Sequence, residues 1–191
     1  VCAFLLIQAA SLAAERTDPL YLTLDAGANL MSKVQHPATA LTLSMETGAR
    51  FDASFGVNFV RNDIITVGGE LEVGMIYNGI NHGTLNGARF DPAGYLFQAP
   101  GLINTRVSFA PNSAWRPYVG VGGGAVRSRL VLDGFPNQDE YEPAAQGMVG
   151  LLYDAGDVLS VGIGYKCLLT WPDELRRTVN HAAMVVFAWD F

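Results

Sequence analysis

Residues Gly48 to Phe59 read GARFDASFGVNF, and this stretch decides the fold. Ala49, Phe51, Ala53, Phe55, Val57 and Phe59 take the odd positions, while Gly48, Arg50, Asp52, Ser54, Gly56 and Asn58 take the even ones. Such strict period-two alternation serves only a β-strand, whose successive side chains point to opposite faces. A helix would scatter the same apolar residues around its circumference.

The pattern recurs on both sides of that stretch. Leu20 to Asn29 sets Leu20, Leu22, Leu24 and Ala26 against Tyr21, Thr23, Asp25, Gly27 and Asn29. Val67 to Tyr77 and Tyr95 to Phe109 alternate likewise, as does Tyr118 to Leu130 until Arg127 and Arg129, where the phase blurs and a bulge or a membrane edge is expected. Ala145 to Tyr153, Leu159 to Leu169 and Val179 to Phe191 complete a set of about eight strands, long enough for tilted transmembrane strands of roughly 9–11 residues.

The links between strands alternate in length. Arg61-Asn62-Asp63, Pro111-Asn112-Ser113-Ala114 and Ala155-Gly156-Asp157 are tight, turn-forming links, whereas those near 31–46, 79–94, 132–143 and 171–178 are long and polar. Short periplasmic turns alternating with long external loops characterise an up-and-down barrel, and a Greek-key sandwich has no reason to produce them. The expected fold is therefore all-β: an eight-stranded antiparallel up-and-down transmembrane β-barrel.

Composition agrees. Of 191 residues, 50% are hydrophobic and only 16% charged, against about 25% charged in an average soluble domain. The net charge of −6 and the lack of any Lys/Arg run exclude nucleic acid as a partner. Cys2 and Cys167 form no CxxC or Cys/His spacing that would suggest zinc or redox chemistry.

Residues 1–14, VCAFLLIQAASLAA, are apolar and uncharged before the polar Glu15-Arg16-Thr17-Asp18. The run is too short to cross a bilayer as a helix but suits the apolar core of a signal peptide, with Ser11-Leu12-Ala13 as a small-x-small cleavage site. Without an initiator Met or a basic leader, 1–14 reads as a truncated signal peptide, cut after Ala13 or Ala14, and 15–191 as the barrel domain.

Alternation alone does not say which face is inside. Three features favour the membrane arrangement, apolar outward and polar inward. The apolar face is dense with rings, among them Phe51, Phe55, Phe59, Tyr77, Phe97, Phe109, Tyr153, Tyr165, Phe187, Trp189 and Phe191, which suit interfacial girdles. The polar face is studded with glycine (Gly27, Gly56, Gly74, Gly120, Gly122, Gly150 and Gly164 among them), which relieves crowding in a narrow lumen but would only weaken a water-facing strand. Its charges also balance: Asp25, Asp52, Glu70 and Glu72 oppose Arg50, Arg106 and Lys166, with Gln98, Asn104 and Gln146 as bridges. Buried charge is tolerated when paired and hydrogen-bonded, so these groups are expected to form one ionic network that plugs the lumen.

Phe187, Trp189 and Phe191 close the last strand on one face, and this alternating aromatic terminus resembles the signal read by the barrel-assembly machinery of the outer membrane. The wider chain resembles the OmpA/opacity-type (OmpX-like) outer-membrane barrels in their barrel-only form. The resemblance is carried by TGARFDASFG at 47–56, GELEVG at 69–74, RPYVGVGGG at 116–124, VGIGYK at 161–166 and FAWDF at 187–191. It implies an eight-stranded barrel in the bacterial outer membrane, its N-terminus in the periplasm, surrounded by outer-membrane lipid and lipopolysaccharide. The chain stops at the barrel, so a wall-anchoring domain is not expected.

Chemistry is harder to place. A lipid A-modifying enzyme would need His, Ser and an acid at the outer rim. His36 and His82 fall in the first two long loops and His181 near the start of the last strand, but His36 precedes Pro37, His82 sits in Asn81-His82-Gly83, and no serine lies two residues from His181. Asp133, Asp139, Glu140 and Glu142 make the third loop acidic without the spacing of a calcium loop. No catalytic residue, metal or cofactor is expected. The expected role is that of a structural or surface-interaction protein with a polar, plugged lumen, the main alternative being a narrow porin-like channel; no loop carries a motif that names an extracellular ligand.

Overall fold

The computed structural model describes residues 20–36, 40–156, 158–172 and 177–191; the signal peptide expected at 1–14 lies outside the described residues, as does the first part of the domain expected from residue 15. Alternation becomes strand throughout: β1 (Leu20–Met31), β2 (Val34–His36), β3 (Leu41–Met45), β4 (Gly48–Arg61), β5 (Ile65–Leu85), β6 (Ala88–Phe90), β7 (Gly94–Phe109), β8 (Trp115–Leu132), β9 (Gln138–Asp154), β10 (Leu159–Thr170) and β11 (Thr178–Asp190).

Eight of these close a ring in the order β1–β4–β5–β7–β8–β9–β10–β11, each antiparallel to its neighbours, and β11 returns to β1 with Leu22 opposite Trp189 and Ala28 opposite Ala183. Closure leaves no unpaired edge in the ring. The tight links lie at one end. There the Asn62 Oδ1 accepts the Ile64 and Ile65 amides at 2.8 Å each, and Ala110 adopts φ 51°, both usual for a turn.

The structure departs from the expected boundaries at the other end. The long links 31–46 and 79–94 are largely strand: β2 and β3 form a hairpin, and β3 pairs with the far half of β5, which β6 also joins. β5 runs eight residues past Tyr77, and β9 begins at Gln138, inside the expected third loop. No bulge occurs at Arg127 or Arg129, since β8 keeps an unbroken register with β7 from Tyr118 to Leu132 and with β9 from Trp115 to Leu130. The bulges fall instead between Asn58 and Val60 and between Ser44 and Met45.

What changes near Arg127 is polarity, not register. Below it, Val119 and Val121 face out; above it, Arg127 and Arg129 face out while Val126, Leu130 and Leu132 turn inward and are buried. A strand leaving lipid for water must exchange its faces in this way, with apolar side chains moving to the inside.

Candidate functional site: the layered lumen

The outward face of the ring is apolar through its middle. Leu71, Val73, Ile103, Val121 and Ile163 are each more than 60% exposed although they are large hydrophobes, far more contiguous apolar surface than a soluble monomer presents. Rings flank this belt on both sides. Trp115 and Tyr153 pack at 4.8 Å near the short turns, with Phe187 and Trp189 at 6.4 Å; Tyr77 and Tyr95 stack at 5.3 Å near the long-link end. At that end Arg127 donates two hydrogen bonds to Asp139, 3.0 and 2.7 Å long, and the guanidinium holds the Asp139 carboxyl below the usual carboxylate range.

Inside, the lumen is a stack of layers. Nearest the short turns, Arg116 bridges Asp154 at 2.8 Å and Asp190 at 3.0 Å and donates to Ser160. Sequence reasoning missed this cluster because its members sit at strand ends, yet all keep the inward parity of β8, β9, β10 and β11. Above it lie Tyr21 and Tyr118, with the Arg106 guanidinium 4.1 Å from the Tyr21 ring centre and 5.6 Å from that of Tyr118.

The next layer brings together all seven charged residues expected to share the lumen. Arg50 donates to Asp52 at 2.8 Å and to Glu72 at 3.0 Å; Lys166 reaches Asp25 at 2.6 Å, Asp52 at 2.8 Å and Glu72 at 3.0 Å. Arg106 stands 3.8 Å from Glu70, which also accepts the Tyr21 hydroxyl at 3.1 Å. Asn104 donates to both Glu70 and Glu72, joining the two halves, and Gln146 donates to Glu72 while accepting from Arg50 at 2.5 Å. All seven are less than 9% exposed. Gln98, expected as a further bridge, belongs to a higher layer.

That higher layer follows an apolar one of Ile76, Leu102, Val126, Ala144 and Leu168. It is a chain of neutral side chains crossing the barrel: Asn29 donates to Asn78 and Asn180 at 2.8 Å each, Asn180 to Gln98 at 3.0 Å, and Gln98 to Ser128 at 3.1 Å. Over it, Val34, Leu43, Ile80, Leu96, Leu130 and Leu132 form a second apolar plate. The polar lumen expected from sequence is thus corrected: polar and apolar layers alternate, and the wall at β9–β11 contributes Met148, Leu152, Ala182, Met184, Val186 and Ala188.

Two inward glycines explain how large side chains fit. A Cβ at Gly56 would strike the Tyr21 ring, and one at Gly150 would come within 2.5 Å of the Tyr118 ring. Each tyrosine lies flat across a glycine on a neighbouring strand, so replacement by a β-branched residue would force the ring out of the lumen.

The three histidines lie on three different strands. His36 lies on β2, His82 on β5 opposite Ser44, and His181 faces outward on β11, 2.5 Å from the Tyr165 hydroxyl. Cys167 also lies on β10, opposite His181. Among the described residues no cluster of three or more His, Cys, Asp or Glu is arranged to hold a metal.

Solved structures share this architecture. Neisserial surface protein A superposes with a TM-score of 0.59 at 15% identity, covering 90% of this chain and 97% of that one. The outer membrane protein OprG from Pseudomonas aeruginosa gives 0.65 at 12% identity, covering 91% and 97%. The outer membrane protease OmpT from Escherichia coli gives 0.54 at 7% identity, covering 93% and 99%. The fold is that of the outer-membrane barrels. No family model matches the chain, and no curated protein matches it in sequence.

Proposed function

We propose that the protein is an outer-membrane barrel that does not conduct, working as a structural or surface-interaction module through the long-link end. The observation that carries this reading is the layer around Arg50, Glu72 and Lys166, where charged side chains from β1, β4, β5 and β10 meet and bond to one another across the barrel axis. An ion on its way through would have to displace paired, buried charges, then an apolar plate, then an amide layer, and each step is costly.

The apolar belt with its flanking rings supports a lipid environment, with outer-membrane lipid and lipopolysaccharide as its neighbours. Phe187 faces outward on β11 and Phe191 is exposed beyond it, where the barrel-assembly machinery could read them with Trp189. On this reading the short turns face the periplasm and β2, β3 and β6 stand on the outer side. Catalysis forms no part of it.

Reconstitution into planar lipid bilayers tests the proposal. The wild-type protein is expected to leave the membrane silent at both polarities. Steady, unitary openings would overturn a plugged barrel in favour of a narrow pore.

A further inference from the structure

Between the amide layer and the upper apolar plate lies a cavity of about 20 Å³, room for one water-sized occupant. Its polar lining consists of Gln98, Ser128, Gln138, Glu140, Glu142 and Thr178, drawn from β7, β8, β9 and β11, and the rest is apolar. Glu142 is 3% exposed, and among the described residues its Oε2 has no hydrogen-bond partner.

This sets Glu142 apart from the other deeply buried carboxylates. Asp25, Asp52, Glu70 and Glu72 each lie within 4 Å of a lysine or arginine. Among the described residues lining this cavity there is no Lys, Arg or His. A buried carboxylate oxygen left without a partner is strongly unfavourable, so the fold supplies a binding opportunity here. The donors around it are carboxylate, amide and hydroxyl oxygens, with no thiol or imidazole, which is the preference of a hard cation. They come from four strands in an irregular set, which calcium accommodates and magnesium, with its near-ideal octahedron, does not.

We propose that this cavity binds one calcium-type divalent cation, with Glu142 as its buried charged ligand and Glu140, Gln138, Ser128 or Thr178 completing an oxygen shell. The site lies outside the ionic network and does not depend on whether the barrel conducts. Bound there, the cation ties β8, β9 and β11 together at the long-link end. The acidic stretch noted in the sequence supplies Glu140 and Glu142, although it has no calcium-loop spacing, because alternate residues of a strand present both to the same side.

The test uses the full chain folded in detergent and stripped with a chelator, titrated calorimetrically with calcium chloride and, separately, with magnesium chloride. The expected result is one calcium per chain, a calcium-dependent rise in the thermal unfolding midpoint, and at least about tenfold weaker magnesium binding. Glu142→Gln is expected to remove the calcium response while keeping the heat-modifiable gel migration of a folded barrel. Should that variant fail to fold, Glu140→Gln is expected to weaken calcium binding by about tenfold, since affinity follows ligand charge. A wild-type protein that takes up no calcium overturns the proposal, as does a folded Glu142→Gln variant that binds calcium as wild type does.

Discussion

Lys166→Ala is expected to destabilise the folded barrel by about 3–5 kcal/mol, the usual cost of removing one partner from a buried ionic group. The ammonium contacts three carboxylates, Asp25 at 2.6 Å, Asp52 at 2.8 Å and Glu72 at 3.0 Å, and all are almost wholly buried. Its loss leaves Asp25 without an ion pair among the described residues and Asp52 and Glu72 dependent on Arg50 alone. A triple replacement that also neutralises Asp25 and Asp52, as Asn, is expected to recover much of the loss, because the penalty comes from the uncompensated charges rather than from the missing side chain. Urea titration in lipid vesicles, read by tryptophan fluorescence, measures both. A Lys166→Ala barrel as stable as wild type would mean that water reaches the network and screens it.

The second large effect concerns the outer face. Ile163→Arg is expected to cost about 2–4 kcal/mol, the penalty for a cation on the lipid side near the bilayer midplane. Ile163 faces outward in the middle of β10, 68% exposed in the absence of lipid. Tyr141, also outward but next to Arg127 in register, lies where the polarity has already inverted, and Tyr141→Arg is expected to fall near the roughly 0–1 kcal/mol seen towards the interfaces. The contrast between the two variants is the measurement. Equal costs at both positions would contradict a lipid belt centred on Ile163.

Much of this architecture is legible in the residues because a single rule, parity along a strand, decides both faces. Counting by twos from Arg50 and Asp52 leads to Glu70 and Glu72 on β5 and, through the register of closed ladders, to Arg106 and Lys166. The rule fails where the environment changes. Above the belt, apolar residues belong inside, so Leu130 and Leu132 facing in and Arg129 facing out read as a loss of phase. β11 hides its inner face for another reason: Ala182, Met184, Val186 and Ala188 alternate with Ala183, Val185 and Phe187, so both sides are apolar and only the rings of Phe187 and Trp189 keep the period. Strand ends are the third blind spot. Arg116 and Asp154 flank turns and Asp190 ends β11, all places where charged residues usually point to solvent.

The pairing of β1 with β11 joins the two ends of the described chain, and Tyr21 meets Asp190 across the seam. Until the last strand is in place, the first has one row of amides and carbonyls with nothing to bond, which hydrocarbon does not forgive. A half-made sheet is therefore no resting point inside a membrane. Closure of the ring therefore waits on its most distant pairing in sequence, that of β1 with β11, whose long loop carries the largest closure entropy.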